Sequence, residues 1–157
     1  MEHAPRSRHG VYNLQRFVTW IARSGANVVS LNEVEKFTGW GNEDQPARYA
    51  ALLKSATGST WNYTFAQRDG GTNGQGNLIL SKFPIEATDD TTLSYSRSVA
   101  RLQILANGIR VNVFSTHLDA ESSTRRATQN RRAEDVGIGL VTAAHCRRRL
   151  QRLACRD

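Results

Sequence analysis

The sequence predicts an α/β domain, and three observations carry that prediction. Two helical stripes flank a short β-branched run within residues 13–58. Alternating apolar and polar residues then dominate the middle of the chain. The length of 157 residues, with 39% hydrophobic and 22% charged residues, suits one globular domain with a real core.

The elements follow in order. From Asn13 to Ser24, Leu14, Phe17, Val18 and Ile21 recur at i, i+3, i+4 and i+7, the stripe of an amphipathic helix, and Gly25 supplies its stop. The run NVVSL reads as a strand buried on both faces. A second helix has Pro46 in its first turn, carries Tyr49, Leu52, Leu53 and Ala56, and closes at Gly58. WNYTFAQ alternates as a strand, DGGTNGQG is a glycine-rich loop, and NLILSKF is an apolar run stopped by Pro84. SVARLQILANGIRVNVFSTHL reads as a hairpin whose strands turn at Asn107-Gly108, the pair a type I′ turn favours. A polar helix begins at Ser122 or Ser123, either of which suits an N-cap. Beyond Asp135 the periodicity decays.

Composition excludes several classes. No apolar run approaches the roughly 18–20 residues of a membrane-spanning helix, and MEHAPRSRHG shows no signal-peptide pattern. Cys146 and Cys155 form neither a zinc pattern nor a disulfide framework. The segment GLVTAAHC imitates the histidine segment of a trypsin-like protease. That chemistry needs an Asp and a Ser downstream, and no Ser follows His145. The net charge of +7 suits a polyanionic partner such as nucleic acid or a lipid headgroup surface. Residues 135–157 contribute five Arg and two Asp to it, making a strongly basic tail.

Two stretches end a strand on a functional side chain. NVVSLNEVE delivers Glu33 to a strand end, where open α/β sheets place their ligands, and VNVFSTHL delivers His117. One carboxylate suffices for a hard cation such as Mg²⁺, whose shell is completed by water and phosphate. A nearby His can donate to a phosphoryl oxygen or exchange a proton near neutral pH.

In order and spacing, VVSLNEVEKFTGWGNEDQPARYAALL, GQGNLILSKFPI, SYSRSVARLQI and NVFSTHLDAESSTRRATQ resemble the endonuclease/exonuclease/phosphatase superfamily. The resemblance covers roughly residues 11 to 129. It implies a DNase I-like α/β sandwich, a Mg²⁺ or Mn²⁺ cofactor and a phosphate-ester substrate, nucleic acid included. By the same resemblance Glu33 is the metal-binding Glu of the L-Q-E-V motif, with Asn32 in place of the usual Gln. His117 is the phosphate-contacting His of the T-H-L motif. Asn77 and Ser81 lie on the G-N-x-I-L-S strand beside the site, and Arg101 lies on a strand approaching the substrate.

The chain contains no D-x-N, whose Asp orients water in the family, and no Asp-His pair to act as general base. The expectation is therefore a partial domain over residues 11–132, corresponding to the N-terminal half of the fold and impaired in catalysis. Residues 133–157 are expected to be a divergent basic tail, of the composition a GC-rich gene gives in a shifted frame. The missing half is expected to supply the sheet covering VVSL, NLIL and VNVF, leaving an apolar face open to oligomers or aggregates. The competing expectation is a non-catalytic basic module that binds nucleic acid or anionic surfaces.

Overall fold

The computed structural model describes residues 13–39 and 41–135. The N-terminal decapeptide, His145, both cysteines and the tail beyond Asp135 lie outside the described residues. Helix α1 (Leu14–Ser24) starts where the Asn13 side chain accepts from Arg16 N–H and stops at Gly25, whose φ of 70° is left-handed. Helix α2 (Gln45–Thr57) repeats this grammar with Asp44 as N-cap, Pro46 in its first turn and Gly58 at φ 69°. Both caps satisfy backbone groups that a helix end leaves orphaned.

The strands are β1 (Val28–Lys36), β2 (Asn62–Gln67), β3 (Gly74–Ser81), β4 (Ile85–Leu93), β5 (Arg97–Ala106) and β6 (Ile109–Thr116), followed by helix α3 (Ser123–Asp135). They form two three-stranded sheets, ordered β1-β3-β2 and β4-β5-β6, and every pairing is antiparallel. The expected hairpin is β5–β6. Asn107 and Gly108 both have positive φ, at 52° and 81°, as a type I′ turn requires.

Alternation along β3 separates two cores. Leu78 and Leu80 join Leu14, Val18, Val34, Tyr49, Leu53 and Trp61 under the two helices. Ile79 faces the other way, packing with Ala66, Ala100, Leu102 and Ile104 between the sheets. A third cluster seats α3 on the outer side of the second sheet, where Ala133 is buried against Leu93 and Val99. The layers are therefore helices, sheet, sheet, helix.

Two sequence expectations change here, and one strand is added. VVSL lies on an edge strand and is only half-buried; the central strand, buried almost throughout, is β3. The second sheet is not missing, because β4, β5 and β6 supply it and cover NLIL, while Val113 and Phe114 of VNVF pack into the second and third clusters. Strand β4 was not foreseen. Its sequence IEATDDTTL is polar and largely solvated along an edge, so it lacks the apolar alternation that marks a half-buried strand. Ile109 and Val111 stay exposed on the edge strand β6. No helix among the described residues is long and apolar enough to cross a membrane.

Candidate functional site

Glu33 lies within β1 rather than at its end, and the backbone there is irregular. Leu31 pairs with Leu78 and Val34 with Gly76, so Asn32 and Glu33 together oppose the single residue Asn77. This is a β-bulge, a device that re-aims side chains. Glu33 has φ 58°, a left-handed conformation that costs a non-glycine residue energy and persists only when its surroundings impose it. The bulge resets the alternation. Val29 and Leu31 pack toward the helices, and Val34 joins that core in the place regular alternation would give Glu33.

Glu33 is thereby turned toward the second sheet, where His117 follows the last residue of β6. His117 Nδ1 lies 3.8 Å from Glu33 Oε1, a contact longer than a hydrogen bond. Glu33 Oε2 is buried and has no hydrogen-bond partner among the described residues. A pocket opens at this pair, lined also by Arg68, Gln75, Gly76, Asn77, Arg97 and Ser98.

Asn77 forms part of the pocket floor, with its amide donating to the Ser98 carbonyl at 2.9 Å and to Ser98 Oγ at 3.1 Å. Ser98 Oγ in turn donates to the Ala66 carbonyl at 3.0 Å. This buried chain ties the two sheets together in the lining of the pocket that holds Glu33 and His117. Ser81 sits four residues further along β3, about 13 Å at ~3.3 Å per residue, where its hydroxyl accepts from Phe83 N–H. Arg101 is not brought to the pair. Its guanidinium donates to Asn112 Oδ1 across β5–β6, and it does not line the pocket.

The cations that do line the pocket, Arg68 and Arg97, were not singled out from the sequence. Arg97 is the first residue of β5, and its Nε is buried without a partner among the described residues. The residues before it, Tyr95 and Ser96, both have positive φ, at 60° and 52°, a conformation no glycine announces. Arg68 follows β2 and hydrogen-bonds Asp69 and Gln75. A hydrogen bond from Ser96, with Arg68 adding to it, holds the Asp69 carboxyl below the usual carboxylate range. Asp69 thus links the loop carrying Arg68 to the turn preceding Arg97.

Beyond His117 the chain is gathered by Asp119. Asp119 Oδ1 accepts from Ser122 N–H at 2.7 Å and Glu121 N–H at 3.0 Å, and Arg125 lies 3.4 Å from Oδ2. These backbone hydrogen bonds, Ser122 first, and then Arg125 hold its carboxyl below the ordinary range. A carboxyl with a depressed folded pKa stabilises the fold above its unfolded value of about 3.9 and loses that contribution as pH falls through the folded value. Melting temperature is therefore expected to decline below about pH 4, and Asp119→Asn should flatten that acid limb. Superimposable pH profiles for the two proteins would remove Asp119 from this role.

The donor set fits a hard divalent cation. Glu33 offers a buried carboxylate oxygen that nothing in the described chain satisfies, and Mg²⁺ is commonly held by one or two carboxylates with water and phosphate. Among the described residues there is no cluster of three or more His, Cys, Asp or Glu side chains to make an all-protein cage. The two arginines bring positive charge to the same pocket, where it complements a phosphoryl group.

A family model described as the Endonuclease/Exonuclease/phosphatase family matches residues 5–153. Among solved structures, an endonuclease/exonuclease/phosphatase family protein from Leptotrichia buccalis superposes with a TM-score of 0.61 at 15% identity, over 76% of this chain and 54% of that one. One from Bacteroides thetaiotaomicron gives 0.55 at 13% identity, over 78% and 49%. A humanized D. rerio TDP2 gives 0.54 at 16%, over 78% and 46%. The chain spans about half the length of these structures, and at such identities the likeness is one of fold. No curated protein matches the chain.

Proposed function

Because the chain belongs to the endonuclease/exonuclease/phosphatase family, we propose that its pocket binds and slowly hydrolyses a phosphoric ester with a divalent cation, Mg²⁺ or Mn²⁺. The observation that carries this reading is the convergence of Glu33 and His117 from different sheets, with the second Glu33 carboxylate oxygen buried and unsatisfied among the described residues. Glu33 is the residue that would hold the cation, which when bound supplies Lewis-acid polarisation of a phosphoryl oxygen. His117 donates a hydrogen bond to the phosphoryl group. The free Nε–H of Arg97 donates a second, charge-assisted bond, which is stronger than a neutral one. Arg68 adds positive charge at the rim, so negative charge gathering on the phosphoryl oxygens meets donors already in place. Asn77 is assigned to the floor, where it fixes the spacing of the sheets. Arg101, bound to Asn112, is assigned a structural part in the second sheet.

Turnover is proposed to be slow because the sequence has neither D-x-N nor an Asp-His pair to activate water. Loss of a general base costs about 10²–10⁴-fold. The test uses the purified chain with Mg²⁺ or Mn²⁺, bis(p-nitrophenyl) phosphate and a short single-stranded DNA. Weak release that EDTA abolishes is expected. Salt-sensitive DNA binding without metal-dependent release would replace this reading with that of a basic binding module.

A further inference from the structure

Each half of the Glu33–His117 pair is followed by the same device. Two residues past Glu33, the Glu35 N–H donates to Gln45 Oε1 at 3.0 Å. Two residues past His117, the Asp119 N–H donates to Gln129 Oε1 at 2.8 Å. In both cases the glutamine lies ten residues downstream of the N–H it binds, on the helix that follows the strand. Both glutamines are fully buried, where a polar side chain is costly unless it is hydrogen-bonded, and Gln45 meets that cost through its oxygen alone, its Nε2 having no partner among the described residues. Gln129 makes a second bond, from Nε2 to the Ser94 carbonyl at 2.9 Å. It therefore joins the segment after His117 to the turn that leads into Arg97.

The backbone at both places needs such a hold. Glu33 is in a left-handed conformation, and a bulge interrupts the ladder that would otherwise restrain it. His117 lies beyond the last ladder pair, Val99 with Thr116, so strand pairing fixes it from one side only. At His117 the side-chain amide accepting the N–H two residues on closes the other side; at Glu33 the ladder resumes with Val34 and Gly76, and Gln45 adds a hold from the unpaired edge of β1.

We infer that Gln45 and Gln129 are paired positioning residues, Gln45 fixing the carboxylate side of the site and Gln129 its phosphate side. This inference rests on the cation and phosphate roles proposed above. Four forms of the full chain test it: wild type, Gln45→Met, Gln129→Met and Leu53→Ala. The Leu53→Ala protein serves as a core-destabilised control, since Leu53 lies under the helices and away from the pocket. Mn²⁺ affinity is measured by water-proton relaxation, inorganic phosphate affinity by calorimetry without metal, and melting temperature by circular dichroism.

Gln45→Met is expected to weaken Mn²⁺ binding about ten-fold and leave phosphate affinity unchanged. Gln129→Met should weaken phosphate binding by about as much and leave Mn²⁺ affinity unchanged. Ten-fold is the lower end of the effect that residues supporting a metal ligand carry. Leu53→Ala should lower only the melting temperature. The inference is overturned if neither glutamine variant alters either affinity. It is also overturned if both variants lose both affinities in step with their melting temperatures. A wild-type chain that binds neither Mn²⁺ nor phosphate overturns the proposed function along with it.

Discussion

Glu33→Gln is expected to weaken Mn²⁺ binding about 100-fold or more. Supporting residues alone carry about 10–100-fold in metal affinity, and this change neutralises the ligand itself. The substitution keeps the shape of the side chain and removes its charge, which leaves a hard cation without its anionic oxygen. Glu33 Oε2 has no hydrogen-bond partner among the described residues, so folding should not suffer. Relief of an unsatisfied buried carboxylate oxygen should keep the melting temperature at or slightly above that of the wild type. Water-proton relaxation measures the binding, and circular dichroism the stability. Any EDTA-sensitive release of p-nitrophenol should disappear together with the metal. Unchanged Mn²⁺ affinity in a folded Glu33→Gln protein would show that the cation, if bound, is held elsewhere.

The largest structural effect is expected at Gly76, which pairs with Gln67 of β2 and with Val34 just past the bulge of β1. A methyl group there would run into the Ala66 carbonyl and lie 2.9 Å from Gln67 Cα. Both obstacles are backbone, so no side-chain rotation can relieve the clash. Gly76→Ala should push β2 away from β3 and disturb the bulge that aims Glu33. A cost of about 3 kcal/mol is expected, the upper part of the range for overpacking. For a chain of this size that lowers the melting temperature by about 10 °C. Gly39→Ala is the control, because a Cβ at Gly39 meets nothing within 4 Å; its effect should stay within about 0.5 kcal/mol. A Gly76→Ala protein that melts with the wild type would mean that the β2–β3 ladder yields at Gly76 without loss of stability.

Much of the fold was legible in the sequence because local chemistry decides it. Asn13, Pro46 and the two C-cap glycines mark the ends of α1 and α2, and Asn107-Gly108 fixes the β5–β6 turn. These signals need no distant partner. Strand β4 carries no sequence signal because a polar edge strand buries too little to leave a pattern. The Tyr95-Ser96 turn carries no glycine, so the arginine after it gave no sign of lining a pocket. The resemblance points instead to Arg101 on the same strand, which stands four residues from Arg97, about 13 Å at ~3.3 Å per residue.

The sequence by itself determined the family motifs, the helix ends, the hairpin and the identity of Glu33 and His117 as the side chains to watch. Only the tertiary structure decided how they meet. Regular alternation from Val29 and Leu31 assigns Glu33 to the helix-facing side of β1, away from His117, because side chains in a strand repeat every two residues. One extra residue in the bulge reverses that assignment, hands the buried position to Val34 and sends the carboxylate toward the second sheet. Which strand bulges depends on what lies opposite it. Here that is Asn77 on β3, anchored through Ser98 to the other sheet, with the Glu35 N–H held by Gln45. Those contacts join residues 10 to 21 positions apart, and they exist only once the layers have packed.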